Sequence, residues 1–105
     1  MKLIWTEFAI YNLKEIFDYH KEVTNTKVAT KIRKNIFSST KQLLKNPQSG
    51  QTELFLEKLK EDHRYIVAGH YKVIYKVSED IIVITDIFDT RQNPVKINNP
   101  ERKNK

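Results

Sequence analysis

The first half of the chain has apolar residues at helical spacing. The short apolar stretch at residues 2–5 predicts an opening strand, and Thr6 can cap a helix predicted over residues 7–21. A polar break separates this helix from a second one, predicted over residues 27–45 and ended by Pro47. Each helix has one apolar side, formed by Ala9, Leu13, Ile16, Phe17 and His20 and by Ala29, Ile32, Ile36, Thr40 and Leu43. Two helices joined by so short a break are expected to form an antiparallel hairpin.

The second half of the chain changes to the alternation that is typical of β-strands. Residues 64–68 are rich in β-formers, residues 71–77 alternate between two faces, and residues 81–88 are apolar on both faces. The last of these predicts a central strand, and the alternation before it places Tyr71 and Tyr75 in the core. The order β-αα-βββ predicts an α+β fold, in which an N-terminal strand and a helical hairpin pack on a mainly antiparallel β-sheet.

Length and composition limit the classes of protein that the chain can belong to. With 105 residues, 39% of them hydrophobic, we expect a single domain over residues 1–97 and a polar, flexible tail over residues 98–105. The absence of cysteine excludes a disulfide scaffold and thiol chemistry, and it fits a reducing cytoplasm. No apolar run approaches the ~18 residues that a membrane span needs. We therefore expect a cytoplasmic protein with no membrane partner.

The positive charge is concentrated in the middle of the chain. The net charge is +6, and residues 23–52 contain six basic residues and no acidic residue. Five of these form a predicted basic stripe opposite the apolar side of the second helix: Lys27, Lys31, Lys34, Lys41 and Lys45. Such a stripe is either a solvated face or a surface that attracts DNA, ribosomal RNA or an acidic protein. Asp86 and Asp89 have no third metal ligand at a suitable spacing, and we expect neither a metal nor a cofactor.

An ordered set of motifs resembles the RelE/ParE superfamily of toxins from bacterial type II toxin–antitoxin modules. It covers about residues 3 to 95 and includes the strand-to-helix start, the first helix, a proline–glycine loop, the signature strand pair and an arginine–proline end. These motifs lie at residues 3–9, 13–19 and 46–50, at residues 64–65 together with 71–77, and at residues 84–88 together with 91–94. The resemblance implies a growth-inhibiting toxin, of a kind associated with plasmid stabilisation, and a cognate antitoxin.

The two branches of the superfamily differ in function. RelE-like members are ribosome-dependent mRNA endonucleases, many of which carry a histidine or tyrosine after the final strand, whereas ParE-like members poison DNA gyrase. Residues 89–105 contain neither histidine nor tyrosine. The resemblance therefore favours a ParE-like toxin that binds DNA gyrase, and the alternative is a nuclease whose partners are the ribosome and mRNA.

Each alternative has its own candidate residues. For target binding the candidates are Arg64, Arg91 and Asn93. For RNA cleavage the cations would be Lys58, Lys60, Arg64 and Arg91, and the candidate acids and bases are Glu57, Glu61, His63 and His70. Both histidines are expected to be solvated surface residues.

Two further expectations concern partners. The antitoxin is expected to wrap the protein with an acidic, amphipathic C-terminal segment, which would cover the groove between hairpin and sheet. An alternative of another class is that the basic helical hairpin binds nucleic acid directly.

Overall fold

A helical hairpin forms the first layer of the protein, whose computed structural model describes residues 1–103. Helix α1 spans Glu7–Val23 and helix α2 spans Thr26–Lys41. The Thr6 hydroxyl accepts a hydrogen bond from the Ala9 amide at 3.1 Å, which caps α1 as predicted. The Asn25 side chain caps α2 in the same way, accepting from the Val28 amide at 2.8 Å. The predicted hairpin is confirmed.

The predicted end of α2 is wrong by about one turn. The α-helix stops at Lys41 and continues as a 3₁₀ turn over Gln42–Leu44. Just before this point the Ser39 and Thr40 hydroxyls each donate a 2.6 Å hydrogen bond to a carbonyl three residues back. Such bonds compete for the carbonyls of the last helical turn and weaken its regular α-helical pattern. One consequence is that Lys45 lies beyond the α-helix.

A five-stranded sheet forms the second layer, in the order β1-β5-β4-β3-β2. Its strands are β1 Lys2–Trp5, β2 Gln51–Thr52, β3 Arg64–Ala68, β4 Tyr71–Ser78 and β5 Ile81–Asp89. Strands β3, β4 and β5 are mutually antiparallel, as predicted. Strand β1 pairs in parallel with β5, which gives β5 neighbours on both sides and confirms it as an interior strand. The α+β class is therefore confirmed.

The main core lies between the hairpin and one face of the sheet. Its fully buried members come from both layers and include Ala9, Ile36, Leu43, Val73, Tyr75, Ile82 and Ile84. Tyr71 belongs to the same cluster, so both tyrosines that alternation placed in the core are buried there. The Tyr75 hydroxyl is satisfied inside the core, since it donates to the Pro47 carbonyl at 2.8 Å and accepts from the Gly50 amide at 2.9 Å.

A smaller core covers part of the opposite face of the sheet. It consists of Leu56, Ile74, Phe88 and Ile97. Leu56 and Ile97 come from two 3₁₀ segments, Leu54–Leu59 and Pro94–Asn98. The first of these segments fits neither the helical nor the strand period in the sequence because a 3₁₀ helix has three residues per turn.

The segment after β5 folds back toward α1. A short helix, α3, spans Pro100–Lys103, and its Arg102 reaches a carboxylate on β5. The predicted tail of residues 98–105 is thus described as far as residue 103, and residues 104 and 105 lie outside the described residues. Within the described residues, none of the helices combines the length and the apolar character needed to cross a membrane.

Candidate functional site

An open groove of about 640 Å³ lies where β5 ends, between α1 and the segment that follows β5. Helix α1 contributes one wall, and the opposite wall comes from the end of β5 and the residues beyond it. The polar and aromatic side chains that line it include Tyr11, Glu15, Tyr19, Tyr71, Asp89, Arg91, Lys96 and Arg102. The groove therefore combines phenol rings with both signs of charge.

Arg91 is held in the groove by Asp89. Its Nε and Nη2 atoms donate to the two Asp89 carboxylate oxygens at 3.0 and 2.9 Å, and its backbone amide donates to the same carboxylate at 2.9 Å. The Arg91 guanidinium lowers the pKa of Asp89, chiefly through these hydrogen bonds, and the carboxylate raises the pKa of Arg91. Asp89 uses two of the five N–H donors of the guanidinium, and at 54% exposure the Arg91 side chain can offer others to a ligand.

Tyr71 lies beside this pair, opposite Asp89 on the neighbouring strand, and contacts a histidine of α1. The Tyr71 hydroxyl is 2.7 Å from Nε2 of His20, a hydrogen bond that joins β4 to α1. Tyr71 is almost completely buried, and burial is the largest cause of its raised pKa, with the negative charge of Asp89 adding to it. The Tyr19 ring packs edge-on against the His20 ring at 5.1 Å and is itself exposed. The hydrogen bond between His20 and Tyr71 fixes the position of α1 against the sheet at this side of the groove.

An ion pair closes the other end of the groove. Asp86 is only 5% exposed, and Arg102 donates to its two oxygens at 2.8 and 2.9 Å. The Asn12 side chain donates to the same carboxylate at 2.9 Å. The Arg102 guanidinium also lies over the Phe88 and Phe8 rings, at 4.9 and 5.2 Å from their centroids. This cluster joins α1, β5 and α3.

The outer wall on α1 carries a more exposed phenol. Glu15 follows Tyr11 by one helical turn, and a hydrogen bond to the Glu15 side chain is the largest cause of the raised pKa of Tyr11. Both residues line the groove. Tyr11 and Tyr19 therefore present aromatic surface to whatever occupies it.

Of the three target-binding candidates, only Arg91 lines the groove. Asn93 is adjacent in sequence, but its side chain accepts from the Val95 amide at 3.1 Å and caps a 3₁₀ segment. Arg64 lies on β3, opposite Tyr75, four positions along β4 from Tyr71. It donates to the Gly50 carbonyl at 3.0 Å and pairs with Asp62 at 3.4 Å. These contacts give Arg64 a structural role in fixing the loop before β2.

The nuclease candidates are not brought together around Arg91. Lys58 lies on the 3₁₀ segment and Lys60 just after it, both exposed, and neither lines the groove. Glu61 pairs with Lys76 at 2.6 Å, away from the groove. The expectation that His63 is a surface residue is wrong, because this side chain is only 7% exposed. His70 is exposed, in the turn before β4, as expected.

The basic stripe is solvent-exposed along its length. All five of its lysines are exposed, and none of them forms an ion pair within the part of the chain that the structure describes. Lys27, Lys31, Lys34 and Lys41 lie on α2 itself, whereas Lys45 follows the 3₁₀ turn. The opposite side of α2, which was predicted to be its core face, is buried at Ala29, Ile36 and Thr40. The amphipathic interpretation of this helix is confirmed.

Sequence reasoning missed most of the groove. His20 was assigned to the apolar stripe of α1 and Tyr71 to the core, and the structure joins the two by a hydrogen bond, with Tyr71 lining the groove that holds Arg91. The sequence did contain a signal for this hydrogen bond, because His20 lies within an otherwise apolar stripe. An imidazole that packs against a core requires a polar partner there. Among the described residues, no three histidine, aspartate or glutamate side chains are grouped as metal ligands.

The order of strand, helical hairpin and antiparallel sheet is the one that the sequence motifs led us to expect. The sequence model of the ParE toxin of the type II toxin–antitoxin system parDE matches residues 3–94. The chain belongs to this family, and it is a type II toxin–antitoxin toxin.

A solved structure has the same fold. The chromosomal ParDE toxin–antitoxin system from P. aeruginosa aligns with a TM-score of 0.73 and 21% sequence identity. The alignment covers 87% of this chain and 97% of the other. At this level of identity the similarity supports the fold alone. Among curated proteins, none matches the sequence significantly.

Proposed function

We propose that this toxin inhibits growth by binding DNA gyrase, that it acts as a binder rather than as a catalyst, and that a cognate antitoxin neutralises it. Membership of the ParE family supports gyrase as the target. The observation that carries the binding role is the fixed, half-exposed Arg91 guanidinium in an aromatic-lined groove. Arginine and tyrosine are the residue types that most often dominate protein–protein binding energy.

The local geometry favours binding over proton transfer. Asp89 keeps the Arg91 guanidinium charged and oriented, so Arg91 can donate to a carboxylate or a carbonyl but cannot act as a base near neutral pH. The Tyr71 phenol has a raised pKa, which disfavours its use as a base. A pre-oriented donor also loses less conformational freedom on binding than a mobile side chain does.

The neutralising partner is expected to carry acidic residues and apolar anchors. The net charge of +6 favours an acidic partner. The groove beside α1 offers the phenols of Tyr11 and Tyr19 to apolar side chains, and Arg91 and Lys96 to acidic ones. An amphipathic C-terminal segment of the antitoxin fits this chemistry. Binding of such a segment should weaken as salt is raised.

One observation favours the alternative, a ribosome-dependent mRNA endonuclease. The Tyr71 phenol lines the groove with Arg91 and is hydrogen-bonded to the His20 imidazole, although neither residue comes from the segment after the final strand. Imidazole is the commonest general acid–base group, and a guanidinium can stabilise the charge of a phosphorane. If this alternative were correct, His20 would be the group that moves a proton.

Purified components can distinguish the two functions. The toxin is incubated with gyrase, ATP and relaxed plasmid, and supercoiling and cleaved DNA are measured; a parallel reaction contains ribosomes and mRNA. Arg91→Ala is compared with Arg33→Ala, which removes an exposed guanidinium from α2 outside the groove. We expect the wild type and Arg33→Ala to inhibit gyrase equally and Arg91→Ala to require at least about tenfold more protein, as loss of a binding hot spot implies. Cleavage of mRNA by the wild type, with gyrase unaffected, would contradict the proposal.

A further inference from the structure

The exposed side of α2 is strongly basic. Lys27, Lys31, Lys34 and Lys41 fall within about 80° of arc on the helix, and they extend over about 21 Å of its axis. The one other residue of α2 within that arc is Ser38. The side therefore consists of four ammonium groups and a hydroxyl, with neither an acidic nor an apolar side chain among them.

Nothing within the described residues neutralises this side. The four lysines are exposed and form no ion pair with any side chain that the structure describes. Residues 23–52 contain no acidic residue at all, and their charge of +6 equals that of the whole chain. Four like charges on one helix repel one another, since lysines one turn apart destabilise a helix by a few tenths of a kcal/mol. An anionic partner would relieve that repulsion.

We propose that this side of α2 binds the phosphate backbone of double-stranded DNA without sequence preference. A row of lysines over about 21 Å matches about six base-pair steps of one strand, at about 3.4 Å each. Contacts of this kind need no apolar anchor, whereas a protein partner normally contributes an apolar interface core that this side of α2 cannot match.

The stripe on α2 contains no aromatic ring, which favours duplex over single-stranded nucleic acid. Single-strand binding sites place bases on exposed aromatic rings. The aromatic residue nearest the stripe on α2 is Phe37, which is stacked on Trp5 with 6.0 Å between the centroids and lies under the Lys41 ammonium at 5.5 Å. The Phe37 ring is 46% exposed, but Trp5 and the Lys41 ammonium already contact it, and the stripe on α2 itself contains no aromatic residue. This surface is separate from the groove, so the inference goes beyond the proposed binding to gyrase.

Salt dependence measures the number of phosphates contacted. Fluorescence anisotropy of a labelled random duplex is recorded with the full-length toxin, in the absence of gyrase, as salt is raised. For four lysine–phosphate contacts, a plot of the logarithm of the association constant against the logarithm of the salt concentration should have a slope of about −3.6. This slope corresponds to an affinity loss of about 10²-fold between roughly 50 and 200 mM salt. The triple variant Lys27→Gln, Lys31→Gln, Lys34→Gln should reduce the slope to about −0.9, because one contact remains.

The matched control removes the same charge elsewhere. Lys2→Gln, Lys14→Gln, Lys21→Gln also lowers the net charge by three, from exposed positions outside the stripe. Circular dichroism and thermal unfolding verify that both triple variants fold. We expect the slope for the control variant to differ from the wild-type slope by no more than about one, which is the change caused by losing a single phosphate contact. An equal loss in both variants would overturn the proposal, because net charge alone would then account for binding.

Two other ligands test the choice of partner. A single-stranded RNA of equal length and a poly-glutamate peptide are titrated under the same conditions. The assignment to duplex DNA would be overturned if either ligand bound more tightly than duplex DNA and lost that binding in the triple variant Lys27→Gln, Lys31→Gln, Lys34→Gln, which is the stripe variant. Inhibition of gyrase by the stripe variant is measured separately, so that failure of this inference leaves the proposed target to be judged on its own assay.

Discussion

Removing the Arg102 side chain should destabilise the protein far more than its place near the end of the chain suggests. In Arg102→Ala, the Asp86 carboxylate, which is 5% exposed in the intact protein, would keep only the hydrogen bond from Asn12. Leaving a buried carboxylate without its cation costs about 3–5 kcal/mol. Because the Arg102 side chain retains 20% exposure, water can partly replace it, and we expect a loss near the lower end, about 3 kcal/mol.

Chemical denaturation at neutral pH measures this loss, with two comparison variants. Arg33→Ala removes an exposed arginine that lies 4.3 Å from the Phe17 ring centroid, and it should cost no more than about 1 kcal/mol. The double variant Asp86→Asn, Arg102→Ala should be more stable than Arg102→Ala alone, because a neutral amide costs less to bury than a carboxylate. A loss below about 0.5 kcal/mol in Arg102→Ala, as for an ordinary surface substitution, would refute the reasoning.

Three further predictions follow from other contacts. Gly50→Ala should destabilise by about 1–3 kcal/mol in thermal unfolding, because its Cβ would lie 2.5 Å from the Tyr75 hydroxyl; an unchanged midpoint would contradict this contact. Because the pKa of Asp89 is lowered in the folded protein, the ionised carboxylate stabilises the fold at pH values above its unfolded pKa of 3.8. This stabilisation is lost as pH falls through the lower pKa of the folded state. The stability advantage of the wild type over Asp89→Asn should therefore be constant from about pH 7 to 5 and shrink below about pH 4 in urea titrations; an advantage that grows on acidification would be inconsistent with it. His70→Ala should leave growth inhibition intact, because this side chain is exposed in a turn and does not line the groove; abolished toxicity in a folded variant would assign it an acid–base role.

The sequence predicted those parts of the fold that depend on periodicity. The two helices, the three long strands and the buried positions of Tyr71 and Tyr75 follow from the spacing of apolar residues. Strand β2 could not be predicted, because its two residues are too few to show alternation. The early end of α2 depends on hydroxyl-to-carbonyl bonds, which a pattern of apolar positions does not encode.

The candidate site was predicted only at Arg91. Its partner Asp89 lies two residues away, but Tyr71 and His20 are 51 residues apart, and only the packing of α1 on the sheet brings them together. The contact between Asp86 and Arg102 likewise depends on how the segment after β5 folds back. The buried position of His63 gave no signal in the sequence, where a charged and polar neighbourhood indicated the surface.

The most direct test of the central claim is the fate of DNA and mRNA in cells after the toxin is induced. Double-strand breaks and the SOS response are measured together with mRNA cleavage at the ribosomal A site, for the wild type and for Arg91→Ala. Binding of gyrase through the groove predicts DNA breaks and SOS induction by the wild type, a marked reduction of both in Arg91→Ala, and intact messages in each case. Messages cut at the A site without DNA damage would contradict the account.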